Sequence, residues 1–204
     1  MTRVCLVGSP DVNVRYELLS RETSREALAT YQLERPFENT LALRTVSVGA
    51  AVSLLNDLQW YLVRFVDEAL VLEPSVSETE WLSRELAEAL RNGDLEPGET
   101  GEYLKVYGVE YPDAESGTAE TPATDGGDGV ADEDAPTDGT DAPADEDATA
   151  SGGVDERGRT RTAAAGRLVE PLYVRRTDGE VPTYDLRDVD ETLVVRLTEA
   201  EFTP

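Results

Sequence analysis

The chain is 204 residues long, room for one ordinary domain or two small ones, and its 43 acids against 18 bases give a net charge of −25. It contains no His and no Ile, one Lys (Lys105), one Cys (Cys5) and one Met. Imidazole acid-base catalysis, Ser-His-Asp or Cys-His nucleophiles, thiolate zinc sites and intrachain disulfides are therefore excluded, no GxxxxGK[ST] or GxGxxG motif occurs, and neither catalytic residue, metal nor cofactor is predicted.

In chain order, Arg3 to Val7 is a short apolar run closed by Gly8-Ser9-Pro10-Asp11, the pattern of a buried strand followed by a turn. Val14 to about Gln32 reads as helical, and Thr23-x-x-Glu26 fits a capping box that would divide it in two. Leu41 to Val46 is a second strand, after which Ser47 can cap a helix from Val48 to about Val66. On that helix Val48, Ala51, Val52, Leu55, Leu58, Leu62 and Phe65 recur at helical spacing. Ala69 to Leu72 is a third strand. Ser77-x-x-Glu80 is a second capping box, with Val76 and Trp81 at the positions of a hydrophobic staple, and it predicts a helix with Leu82, Leu86, Ala89 and Leu90 buried that ends at Asn92-Gly93. Tyr103 to Tyr111 alternates as a fourth strand.

From Pro112 to Glu156 the chain holds 15 Asp and Glu, no Lys or Arg, no aromatic and no Leu, so it cannot bury enough apolar surface to offset chain entropy. A disordered acidic insertion is predicted. Beyond it, Leu168 to Arg176 and Val181 to Leu186 flank a hairpin signal at Thr177-Asp178-Gly179-Glu180, and Thr192 to Thr198 alternates again. The expected fold class is α/β: a single mixed sheet with about three helices and a C-terminal antiparallel meander, interrupted by the insertion. The expected organisation is an α/β core over 1–111, an acidic linker with a short Arg-rich end over 112–166, and a meander over 167–204 that is too small to hold a core alone and docks on the first part.

An acidic, lysine-poor, arginine-rich surface holds water and cations, and a net charge of this size self-repels until salt shortens the Debye length from about 10 Å at 0.1 M to about 3 Å at 1 M. This is the composition of a halophile's protein. The stretches VRYELLSRETSREALATY, VSLLNDLQWYLVRF and ETEWLSRELAEAL, with the His-free acidic composition, resemble a family of uncharacterised proteins of halophilic archaea, a domain of unknown function. The resemblance covers the two ordered parts and not the insertion; it implies halophilic chemistry and supplies no catalytic residue. No signal h-region, lipidation motif or run of 18 apolar residues is present, so the expected location is cytoplasmic, with no membrane contact.

Several groups of residues invite a functional reading. Gly8, Ser9 and Asp11, with Arg15 nearby, lie where the first strand of an α/β pattern meets a helix, and free amides there could hold an anion. The plainer reading is a turn capped by Asp11, with Gly8 present for its backbone. Cys5, inside Val4-Cys5-Leu6-Val7, reads as a core thiol. Lys105 would be a base or Schiff-base amine if buried, although the polar face of its strand is the preferred placement. Asp185, Asp188, Asp190 and Glu191 offer oxygen ligands without the spacing of a calcium loop, and read as a solvated turn. Arg157, Arg159 and Arg161 could meet nucleic-acid phosphates, but no aromatics interleave and molar salt removes most of that attraction. A basic end to the linker is the simpler account, and nucleic acid is not an expected partner.

Trp60 shares with Arg64 the helix face opposite the apolar stripe, so either a partner subunit or the C-terminal meander must cover it, the meander being narrowly favoured. Three functions are thus in play. The first is a non-enzymatic cytoplasmic interaction or adaptor module with a protein partner or a homo-oligomeric state. The second is a small anionic-ligand module or enzyme, for nucleotide or phosphate, using the Gly8 to Asp11 turn. The third and weakest is RNA binding through Arg157 to Arg161.

Overall fold

A computed structural model describes residues 1–112, 165–177 and 179–203. Their order is β1 (Thr2–Gly8), α1 (Val14–Leu19), α2 (Glu22–Leu28), β2 (Thr40–Thr45), α3 (Val48–Asp57), α4 (Gln59–Phe65), β3 (Val66–Leu72), β4 (Trp81–Leu82), α5 (Arg84–Asn92), a 3-10 turn (Pro97–Glu99), β5 (Tyr103–Glu110), β6 (Arg167–Arg175), β7 (Glu191–Leu197) and α6 (Glu199–Phe202). One seven-stranded sheet runs β2-β1-β3-β4-β7-β5-β6. The class is α/β with a single mixed sheet, as the sequence implies. Within that sheet only β4 and β7 pair in parallel, while the other five pairings are antiparallel.

Strand β1 is an interior strand with both faces covered, which is why Val4, Cys5 and Leu6 are apolar in succession. Strands β2 and β3 flank it and both run antiparallel to it, so α3 and α4 form the crossover between two parallel strands with β1 inserted between them. Alternation sends Val4, Leu6, Leu41, Leu43, Val71 and Leu82 to one face, where Val14 and Leu18 of α1, Leu28 of α2, Ala51, Val52 and Leu55 of α3, Leu62 of α4 and Leu86 of α5 pack on them. Leu55, with no exposed surface, contributes about 1.5–3 kcal/mol by burial.

The other face carries Cys5, Leu70, Trp81, Tyr107 and Val195, all buried with no helix of the α1–α5 layer among them. The sheet covers this face itself by curling. Strands β3 and β5 stand three positions apart, about 14 Å in a flat sheet, yet Glu68 of β3 and Lys105 of β5 form an ion pair. The two edges also meet, at a parallel bridge between Phe37 and Gly166 where the Glu38 N–H donates to the Gly166 carbonyl at 2.7 Å.

Local expectations fared unevenly. The helical stretch from Val48 is broken at Leu58, which closes α3 and opens α4, and the Ser47 hydroxyl caps it by accepting from the Ala50 N–H at 3.2 Å. Two helices do replace one before β2, but α2 starts at Glu22 with Arg21 at its N-cap, so Thr23 is not a cap. The Ser77 box is overturned: Ser77 closes a turn on Glu80, Trp81 and Leu82 form β4, and the helix starts six residues later behind Ser83. Val76 and Trp81 pack in different clusters on opposite faces of the sheet, so they form no staple. Its end is as expected, with Gly93 in the left-handed region at φ 78°.

The three-strand meander is also corrected. Val181 to Leu186 is not a strand, and β6 and β7 do not pair with each other; each pairs antiparallel with β5, one on either side. Pro182 removes a ladder donor from the missing strand, and Val181, Tyr184 and Val189 instead cover Leu104 and Val106 of β5, with the Tyr184 hydroxyl donating to the Glu170 carbonyl at 2.7 Å. Residues 113–164, most of the proposed linker, lie outside the described residues.

Candidate functional site

The turn after β1 is built around Asn39. Its backbone sits at φ 49°, its carbonyl accepts the Gly8 N–H at 2.9 Å, its Oδ1 accepts the Val14 N–H at 3.0 Å, and its Nδ2 donates to the Ser9 carbonyl at 3.0 Å. A Cβ on Gly8 would stand 2.6 Å from Asn39 Nδ2 and 2.7 Å from Val14 Cβ, so glycine is required there by close approach. The Ser9 N–H donates to the Phe65 carbonyl at 3.0 Å, and Asn13, not Asp11, caps α1 by accepting from the Tyr16 N–H at 3.0 Å. The amides expected to be free for an anion at Gly8 and Ser9 are thus already bonded within the protein.

Beside this turn lies a cavity of about 410 Å³ whose charged lining is Asp11, Arg15, Arg35 and Glu38. Of the four residues singled out in the sequence, Asp11 and Arg15 line it and Gly8 and Ser9 do not. Arg35 and Glu38 arrive from the chain leading into β2, and no local pattern marks them, because only the β1–β2 pairing and Asn39 bring that segment alongside the turn.

A second cavity, of about 330 Å³, opens where β4 is too short to fill the sheet between β3 and β7; Asp67, Glu68, Glu85 and Glu201 line it with Leu62 and Val195 among the apolar groups. Below it Lys105 is mostly buried on the concave face rather than on a polar one, paired with Glu68 and with its ammonium 5.0 Å from the Tyr107 ring and 5.3 Å from that of Tyr173. Burial alone would lower the Lys105 pKa, but the hydrogen bond and charge of Glu68, with Tyr173 adding to them, raise it above the ordinary lysine value. Burial first, then Glu68, pushes the Tyr107 hydroxyl up as well. Both groups therefore stay protonated at neutral pH, so Lys105 offers neither a neutral amine nor a Schiff-base nucleophile there. Burial likewise raises Glu201, against hydrogen bonds from Thr198 and Ser83, while the neighbouring Glu85 adds to the rise. Cys5 is fully buried, and burial pushes its thiol up to about 12 against the opposing pull of Arg3 and Thr40.

Trp60 is half exposed, and its ring and cation contacts among the described residues come from Arg21, Tyr61, Arg64 and Phe65 and not from the C-terminal strands, which corrects the favoured expectation that the meander covers it. The Arg64 guanidinium lies 4.0 Å from the indole centroid and that of Arg21 at 5.7 Å, with Tyr61 edge-on at 4.9 Å and Phe65 at 6.3 Å. Val63, one turn from Trp60, is 72% exposed. Helix α4 therefore presents Trp60, Val63 and Arg64 together on one face.

In the acidic run before β7, Asp190 accepts the Tyr111 N–H at 2.9 Å, Glu191 accepts the Tyr111 hydroxyl at 3.1 Å, and Arg187 pairs with Glu110 and Glu170. No group of metal-ligating side chains forms among the described residues, and no helix among them is long and apolar enough to cross a membrane. Arg157, Arg159 and Arg161 lie outside the described residues.

No curated protein and no solved structure matches the chain. A family of unknown function, DUF5804, matches residues 2–109, from the start of β1 to within one residue of the end of β5, and so includes Trp60, Arg64 and all four charged residues of the 410 Å³ cavity. The chain belongs to this family, DUF5804.

Proposed function

We propose that the chain is a non-enzymatic, cytoplasmic protein-interaction module of a halophile, acting through the face of α4 that carries Trp60, Val63 and Arg64. The observation that carries this reading is the half-exposed indole. An aromatic ring of this size left in water forgoes its burial energy unless a second surface covers it, and Trp and Arg dominate binding hot spots. The exposed valine beside it enlarges the apolar contact. The Arg64 guanidinium over the indole holds no carboxylate among the described residues and suits a partner surface that brings one to it, whereas Arg21 already pairs with Glu17. Composition supports the halophilic setting, since the described ordered part alone is acidic and the whole chain reaches −25.

The test compares wild type with Trp60→Ala, both purified from a halophilic host in molar KCl, by light scattering and by quantitative co-purification. Wild type should run above the monomer mass, as a multiple of it or with a second polypeptide. Trp60→Ala should revert to the monomer and stay folded by circular dichroism, with a stability cost of about 1–3 kcal/mol for the half of the indole that is buried. A monomeric wild type without a co-purified polypeptide, or a variant assembling as wild type does, would remove this reading.

A further inference from the structure

The 410 Å³ cavity beside the first turn is lined by two guanidiniums and two carboxylates, and among the described residues these four side chains make no hydrogen bond or ion pair with one another or with anything else. Arg21, Arg44, Arg175, Arg176, Arg187 and Arg196 each hold a carboxylate. Lacking a carboxylate is not peculiar to these two guanidiniums: among the described residues Arg3, Arg25, Arg64, Arg84, Arg91 and Arg167 hold none either. What distinguishes Arg15 and Arg35 is that both line one concavity together with two carboxylates, Asp11 and Glu38, and pair with neither; all four side chains are exposed and open to a ligand. A lone anion would meet the guanidiniums but be repelled by the two carboxylates, and a cation would meet the reverse.

From this arrangement we infer that the cavity binds a small zwitterion, an α-amino acid, with its carboxylate on Arg15 and Arg35 and its ammonium on Asp11 and Glu38. Both charges of such a ligand find opposite charges already present, and the guanidinium's planar donors match a carboxylate in two parallel hydrogen bonds. The uncharged wall includes Pro10, Val12 and Val14, which suits an aliphatic side chain such as that of valine or leucine. The volume lies in the range of small-molecule sites. Helix α1 contributes no backbone anion site, because it has only six residues and the Val14 and Tyr16 amides are already bonded. The site lies apart from the α4 face, so its failure and that of the interaction reading are separate results.

The experiment is saturation-transfer NMR on the full chain in molar KCl with L-valine, L-leucine, acetate, methylammonium and methyl phosphate as separate probes at millimolar concentration. Valine or leucine should give transfer, and the three single-charge probes should give at least about tenfold less. Arg35→Ala and Glu38→Gln, both at exposed positions and checked for unchanged circular dichroism, should each weaken the amino acid by about tenfold or more, the expected scale for losing a charge-assisted contact. No transfer to either amino acid on folded protein would overturn the proposal. Methyl phosphate or acetate binding as well as the amino acids would overturn it too, by reducing the cavity to an anion site, as would amino-acid binding that both variants retain.

Discussion

Glu80 accepts one hydrogen bond from Arg176 and one from Arg196, each at 2.6 Å, and Arg196 also donates to the Thr100 hydroxyl at 2.8 Å. All three charged side chains are largely buried. Burial alone would raise the Glu80 carboxyl, but the two guanidiniums outweigh it and hold it below the ordinary carboxylate range. A carboxyl depressed in the folded state stabilises the fold above its unfolded value, near 4.3, and loses that contribution as pH falls through the folded value. Glu80→Gln should therefore cost about 1.5–3 kcal/mol in urea unfolding at neutral pH. The gap from wild type should close progressively below about pH 4. A gap that does not narrow as the pH falls below about 4 would mean that packing, not charge, is what Glu80 supplies. From sequence, Glu80 fits the third position of a capping box, because its partners lie 96 and 116 residues away and no local pattern reports them.

Ser83 shows the same limit at the scale of an element. Two serines six residues apart, Ser77 and Ser83, both precede apolar helical spacing, and only the second starts α5. The intervening Trp81 and Leu82 are claimed by β4, where Leu82 pairs with Val71 on one side and Trp81 and Leu82 with Val195 and Arg196 on the other. Tertiary pairing overrides the local cap when both sides of a two-residue strand find partners. The Ser83 hydroxyl then serves two elements, accepting the Leu86 N–H at 3.2 Å and donating to Glu201 of α6 at 2.8 Å. Ser83→Ala should cost about 1 kcal/mol or more by thermal melting, within the range of lost N-caps. Ser77→Ala, which loses only turn contacts, should cost less; equal costs would contradict this division of roles.

For the whole molecule, β5 and β6 are antiparallel neighbours and Glu110 stands opposite Arg167, so the sheet itself brings the two ends of the acidic insertion together. Deleting residues 115–155 removes 13 acids and no base, taking the net charge from −25 to −12. Screening should then matter less. The midpoint of thermal unfolding should rise between 0.1 and 2 M KCl for the full chain and rise by a smaller amount for the deletion. A deletion variant that no longer unfolds cooperatively in 2 M KCl would instead show that the tract takes part in the fold.

Composition alone determined the exclusions of chemistry, the acid-rich tract and the strand and helix periods of β1, β2, α3 and β5, because these depend on residue type and on spacing within one element. The Cys5 environment was legible for the same reason: a thiol inside an apolar run at a strand centre is buried whatever the topology. The tertiary structure alone decided which serine starts α5, that β6 and β7 flank β5, that Lys105 faces Glu68 inside the curled sheet, and that Arg35 and Glu38 join Asp11 and Arg15 around one cavity. Each of these rests on contacts between segments far apart in the chain, whose pairing follows from how the sheet curls and closes rather than from any local preference.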